Sequence, residues 1–132
     1  MREKQRRIAK LLALQERRLM AETANCATVE KRLQETDSQI CDLQRMLERD
    51  DPTAMAFSTL VLDRLRQASR QREELESELA RRRDAALILK QQIKRIDKYA
   101  DRIDDKATRK ESERERSAIL ERFSTPRDAS VE

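Results

Sequence analysis

The chain has 132 residues, of which 42% are charged and 2% aromatic, and it contains no glycine, histidine or tryptophan. Without glycine, hairpin turns and phosphate-cradling loops are disfavoured, and without histidine the usual general base and the commonest metal ligand are missing. The net charge of +4 and the wealth of Arg, Glu, Leu, Ala, Lys and Gln are typical of long helices, and we expect no enzyme activity, no cofactor and no metal site.

The beginning of the chain is charged, and its first apolar stretch, Ile8 to Leu14, is interrupted by Lys10. We therefore expect neither a signal peptide nor a membrane span.

Cys26 and Cys41 lie on what we predict to be one helix, about 22 Å apart at the helical rise. This distance is too long for a disulfide, and free thiols fit a cytoplasmic protein.

Apolar residues recur at alternating spacings of four and three in two blocks, and most residues between them are charged or Gln. Nine of the twelve positions in the first block are apolar: Ile8, Leu12, Gln15, Leu19, Glu22, Cys26, Val29, Leu33, Thr36, Ile40, Leu43 and Leu47. Twelve of the fourteen positions in the second are apolar: Val61, Leu65, Ala68, Arg72, Leu75, Leu79, Arg82, Ala86, Leu89, Ile93, Ile96, Ala100, Ile103 and Ala107. Such a sustained heptad repeat indicates a coiled coil rather than disorder.

The break between the blocks, residues 50–58, predicts that the chain folds back on itself near Ala54. We predict an all-α fold, a two-helix antiparallel coiled-coil hairpin with a longer C-terminal helix. It is a single unit over residues 1–123, with a helix at 3–49, a tip at 50–57, a helix at 58–122 and a flexible tail at 124–132. Ser58 is the predicted N-cap of the second helix, although Pro52 could open an extra turn with Asp51 as its cap.

Folding at Ala54 pairs residues whose numbers add up to 108, for example Ile40 with Ala68. Polar layers then fall together, with Thr36 opposite Arg72, and Glu22 near Arg82. We interpret the Glu22 and Arg82 pair as one that fixes the register, with Arg82 reaching out to solvent. Arg81, Arg82 and Arg83 together are expected to form a solvated face.

Charge is unevenly distributed along the predicted hairpin. Residues 1–20 carry a net charge of +5, residues 21–80 of −5, residues 81–110 of +6 and residues 111–132 of −2. The hairpin register places the two basic segments side by side at one end. This end is either a solvated surface with i,i+4 ion pairs, such as those of Lys94 and Lys98 with Asp97 and Asp101, or a surface that docks onto an acidic protein or along phosphates. Nucleic acid is disfavoured because Tyr99 is the only aromatic residue there.

The tip contains more apolar residues than a turn needs, namely Met55, Phe57, Leu60 and Leu62. The simpler interpretation is that Phe57 closes the end of the coiled-coil core. The second interpretation is a docking site for a partner.

In size, hairpin register and charge, and in segments such as Arg70-Gln71-Arg72-Glu73-Glu74-Leu75-Glu76 and Ala13-Leu14-Gln15-Glu16-Arg17-Arg18, the chain resembles the FliJ/YscO stalk proteins of flagellar and type III secretion export systems. The resemblance implies a cytoplasmic stalk, peripheral to an inner-membrane secretion apparatus. Such a stalk couples a hexameric export ATPase to the cytoplasmic domain of the export gate, and some family members bind secretion chaperones. Phe57 as the only aromatic residue of the tip favours the virulence branch.

Carried over to this chain, the resemblance implies two docking surfaces. The ATPase would contact Arg2, Lys4, Arg6, Arg7, Arg102, Lys106, Arg109 and Lys110. The gate would contact Leu47, Met55, Phe57, Leu60 and Arg64. We expect an isolated monomer that neither binds nucleic acid nor inserts into a membrane. Two alternatives stay open: a coiled-coil scaffold that dimerises into a four-helix bundle through residues such as Ile88 and Leu62, and, less favoured, a nucleic-acid-binding helical arm.

Overall fold

A computed structural model describes residues 2–49 and 52–124 of the chain. They form three α-helices: α1 spans Arg2–Glu48, α2 spans Pro52–Ala56 and α3 spans Ser58–Ser124. The protein is all-α, since these ranges contain no strand. The predicted tail residues 125–132 and the predicted cap Asp51 lie outside the described residues.

The junction between the long helices depends on local backbone chemistry. Pro52 is the first residue of α2, where its missing N–H costs no helical hydrogen bond. The backbone N–H of Val61 donates to the carbonyl of Phe57 at 3.0 Å, so Phe57 occupies the N-cap position of α3. The prediction of Ser58 as the N-cap was therefore wrong, because Ser58 is already the first helical residue.

The chain divides into two compact units, of which one comprises Gln15–Gln91. In this unit α1 and α3 pack against each other through two buried apolar clusters. One cluster contains Val29, Leu75 and Leu79, and the other contains Ile40, Leu43 and Ala68. Later residues of α1 thus meet earlier residues of α3.

The other unit comprises Met1–Leu14 and Gln92–Glu132. Among the residues of this unit that the structure describes, the buried apolar side chain is that of Ile103, which is 7% exposed. The side-chain amide of Gln5 donates to the carboxylate of Asp104 at 2.9 Å and so links α1 to α3. From residue 108 to residue 124 every side chain is exposed.

The heptad positions form the least exposed stripe of both helices, with two exceptions. Leu47 is 37% exposed, because it lies one residue before the end of α1. The side chain of Arg72 is 48% exposed, because its guanidinium turns out of the stripe toward Asp37. Thr36, which we placed opposite it, is 4% exposed, and its hydroxyl donates to the Arg32 carbonyl at 2.8 Å.

The end of α3 also differs from the sequence-based expectation. We assigned Ser124 to the tail, whereas α3 continues to Ser124. The Ser124 hydroxyl donates to the backbone carbonyl of Glu121 at 3.3 Å, which adds a local hydrogen bond to the last turn.

Candidate interaction surfaces

A charged group lies inside the helix contact of the Gln15–Gln91 unit. Arg82 on α3 contacts Glu22 on α1, with 3.5 Å between Nη1 and Oε1. Its Nε donates to Glu78 Oε1, one turn earlier on α3, at 3.1 Å. The hydrogen bond that Arg82 donates to Glu78 is the largest influence and raises the pKa of Arg82. Desolvation opposes this rise, and the negative charges of Glu78 and Glu22 add to it, so that the pKa is raised overall. A fully charged guanidinium held between two carboxylates is suited to fixing the alignment of two helices, not to proton transfer.

Two further ion pairs join α1 to α3 in this unit. Arg83 Nη2 lies 2.9 Å from Glu30 Oε1. Arg72 Nε lies 3.0 Å from Asp37 Oδ1 and 3.3 Å from Glu76 Oε1. We expected Arg83 to be merely solvated, and the structure corrects this, because its long side chain reaches across to α1. These pairs are about half exposed, so each contributes little to stability.

The cationic residues that we assigned to ATPase docking all lie in the Met1–Leu14 and Gln92–Glu132 unit. All eight are exposed. The structure brings five of them together around a cleft of about 520 Å³, namely Lys4, Arg102, Lys106, Arg109 and Lys110. The Lys4 amino group lies over the ring of Tyr99, 5.8 Å from its centroid, within the range of a cation–π contact.

The remaining three predicted cations are arranged differently. Arg2 lines a second cleft, of about 420 Å³, together with Gln5, Ala107 and Lys110. Arg6 and Arg7 are exposed on α1 and line neither cleft. The i,i+4 ion pairs that we considered for Lys94 and Lys98 are absent from the part of the chain that the structure describes.

The residues that we assigned to gate docking lie around the junction of α1, α2 and α3. Met55 is 72% exposed, Phe57 55% and Leu60 51%. Arg64 is exposed one turn further along α3. Phe57 does not close the core as we expected, because it lies in the turn before α3 and outside the heptad stripe.

Some contacts were not found from the sequence. The predicted tip set omitted Met46, which is 45% exposed near the end of α1. The contact between Lys4 and Tyr99 was also missed, although their residue numbers add up to 103, which is close to the sum of 108 in the predicted register. The acids Glu30 and Asp37 carried no signal, because nothing in a heptad pattern distinguishes a paired from an unpaired surface carboxylate.

Cysteine and carboxylate side chains are the groups of this chain that can ligate a metal ion. Cys26 is half-buried and Cys41 exposed, and both are free thiols. Within residues 2–49 and 52–124, no group of three or more Cys, Asp or Glu side chains could hold a metal ion. None of the described helices is long and apolar enough to cross a membrane.

Comparison with known proteins gives no relative. No family model, no curated protein and no solved structure matches the chain.

Proposed function

We propose that the chain forms an antiparallel coiled-coil hairpin that serves as the stalk of a type III secretion apparatus. In this role it couples a cytoplasmic hexameric export ATPase to the cytoplasmic domain of the membrane export gate, and it binds secretion chaperones. It acts as a cytoplasmic interaction protein, peripheral to the inner membrane, and not as an enzyme.

The observation that carries this proposal is the order of contacts between two long helices of unequal length. α1 has 47 residues and α3 has 67. Val29 packs with Leu79, and Ile40 packs with Ala68, so both pairs follow the antiparallel register of a hairpin folded near Ala54. Two helices held in this way resist bending better than one, which suits a part that transmits torque or a conformational signal.

The cationic cluster around Lys4 and Arg102 supports the assignment of an ATPase-binding surface. These side chains are exposed, and they are available to carboxylates on a partner. Opposite charges on two proteins accelerate their encounter and orient them. We propose that Arg2, Lys4, Arg6, Arg7, Arg102, Lys106, Arg109 and Lys110 face an acidic surface of the ATPase.

The exposed apolar side chains near the start of α3 support the assignment of a second partner. Met55 and Phe57 each expose more than half of their surface, and burying them against another protein would release ordered water. Aromatic residues and methionine are common in the centre of protein interfaces. We propose that Leu47, Met55, Phe57, Leu60 and Arg64 contact the export gate.

The test is a binding experiment with the purified hexameric secretion ATPase of the same organism. We expect the full chain to associate with the ATPase and to stimulate ATP hydrolysis. The double variant Arg102→Glu/Lys106→Glu should abolish both effects at about 0.15 M salt, where charge interactions still extend over roughly 8 Å. The matched control Arg66→Glu/Arg70→Glu changes the charge equally at exposed positions of α3 in the other unit and should leave both effects intact.

Three results would contradict the proposal. The first is the absence of any association with the ATPase. The second is an equal loss of association in the matched control, which would indicate a non-specific charge effect. The third is binding to nucleic acid with a steep salt dependence, which would favour the helical-arm alternative.

A second candidate function, a dimeric scaffold, is favoured by one observation. Leu87 and Ile88 are each 54% exposed in the middle of α3, as expected for helices that pair with a second copy. Sedimentation equilibrium distinguishes the two functions. A stalk should sediment as a monomer, whereas a scaffold should sediment as a dimer that the variant Ile88→Asp dissociates.

A further inference from the structure

The cleft of about 520 Å³ in the Met1–Leu14 and Gln92–Glu132 unit has the size of a small-molecule site. Its rim carries the aromatic ring of Tyr99 and the side chains of five cations. Its other lining residues are Ile103, which is buried, and Asp105, which supplies the single carboxylate. The cleft therefore joins an apolar floor to a strongly positive rim.

The described residues do not compensate the positive charge of the cleft. Its five cations and one carboxylate give the lining a net charge of +4. Arg102, Lys106, Arg109 and Lys110 make no ion pair with any described residue, and the Lys4 amino group contacts the ring of Tyr99 instead of an acid. By contrast, the arginines of the other unit that face α1 are each bound by acids on α1, as in Arg72, Arg82 and Arg83. A compact anion would lower the mutual repulsion of the cleft's side chains.

The spacing of the cations favours a chain of anionic groups over a single ion. Arg102, Lys106, Arg109 and Lys110 follow one face of α3 at helical spacing, over about 12 Å. A triphosphate chain carries about four negative charges near neutral pH. One such ligand would therefore neutralise the net charge of +4 of the residues that line the cleft. One guanidinium group can bind two phosphate oxygens at once through two parallel hydrogen bonds.

We propose that this cleft binds a ligand with a chain of phosphate groups, either a nucleoside polyphosphate or inorganic polyphosphate. Arg102, Lys106, Arg109 and Lys110 hold the phosphates, and Lys4 closes the opposite wall from α1. Tyr99 and Ile103 offer apolar contact to a nucleoside where one is attached. This inference depends on the cleft alone and does not require the proposed ATPase partnership.

The sequence supplies a direct reporter of occupancy. Tyr99 is the only tyrosine, and the chain has no tryptophan, so the fluorescence of the full-length protein near 300 nm, a typical tyrosine emission, comes mainly from this cleft. Sodium tripolyphosphate, which does not absorb in this range, is titrated into the protein at about 0.15 M salt. We expect a saturable change in Tyr99 fluorescence with one ligand bound per chain.

Two variants test which residues bind the ligand. Arg102→Gln/Lys106→Gln should weaken tripolyphosphate binding at least roughly tenfold, because two charge-assisted contacts are lost. The control Arg66→Gln/Arg70→Gln removes the same charge from exposed positions of α3 in the other unit and should bind as the wild type does. Circular dichroism of both variants shows whether they retain their helices.

The source of the phosphate chain is then identified by isothermal titration calorimetry. Tighter binding of ATP than of tripolyphosphate identifies a nucleotide site, and equal binding identifies a polyphosphate site. No saturable binding, or equal weakening in both variants, overturns the proposal. Binding of a poly-glutamate peptide without binding of tripolyphosphate also overturns it and makes the cleft a protein-docking surface. These titrations contain no ATPase. A negative result would therefore overturn the phosphate-binding proposal alone, and the stalk proposal is tested separately by ATPase binding.

Discussion

The packing of α1 on α3 can be tested through Leu79, which belongs to the buried cluster with Val29 and Leu75 and is 6% exposed. The variant Leu79→Ala removes three carbon atoms from this cluster. At about 0.8 kcal/mol per buried methylene the transfer term is about 2.4 kcal/mol. A two-helix contact can partly close the resulting space, so we add only a small cavity term and expect a loss of about 2–3 kcal/mol in the free energy of unfolding.

The measurement is urea denaturation followed by circular dichroism at a helical wavelength. The matched control is Leu120→Ala, the same chemical change in the same helix, at a position that is 67% exposed. We expect the control to change the free energy of unfolding by less than about 0.5 kcal/mol. If Leu79→Ala lowers the free energy of unfolding no more than the control does, the cluster does not hold the helices together, and the hairpin proposal is contradicted.

Three further outcomes follow from the contacts described above. Arg82→Met should destabilise the protein because it leaves Glu22 without its cation. Since the pKa of Arg82 is raised in the folded protein, the stabilisation by Arg82 is lost only above the pKa range of free arginine and should be constant from neutral pH to about pH 10. Urea denaturation at several pH values measures this stabilisation, and its loss in mild alkali would contradict the assignment. Asp37→Asn should cost less than about 1 kcal/mol in the same assay, because its pair with Arg72 is about half exposed. Phe57→Ala should leave the melting temperature nearly unchanged but weaken binding to the proposed partner, the cytoplasmic domain of the export gate, in a pull-down. A large drop in melting temperature would instead make Phe57 part of the core.

The residues of the helix contact could be predicted because helical periodicity is a property of the backbone. An amphipathic helix buries one stripe whatever its partner, and the stripe from Ile8 to Ala107 is the least exposed face of both helices, apart from Leu47 and Arg72. Arg72 escaped the pattern because a long side chain can leave a core position and find an acid nearby.

The candidate surfaces were only partly predictable. The concentration of cations near both Lys4 and Arg102 is visible in the charge of the two segments once they are placed side by side. The cleft itself is not, because it depends on the conformations of long side chains that no periodicity describes. Phe57 illustrates the same limit, because the sequence of a turn does not determine whether its aromatic side chain points into the core or away from it.

The final stretch of α3 has a consequence for how the protein opens. Every side chain from residue 108 to residue 124 is exposed, including Phe123 at 82%. A helical stretch with no buried side chain depends mainly on backbone hydrogen bonds and i,i+4 neighbours. Its amide hydrogens should therefore exchange with deuterium well before those near Leu75, and a protease should cut there first. The turns of α3 beyond the cleft residues Arg109 and Lys110 would then fray and reform more often than the buried helix contact around Leu75.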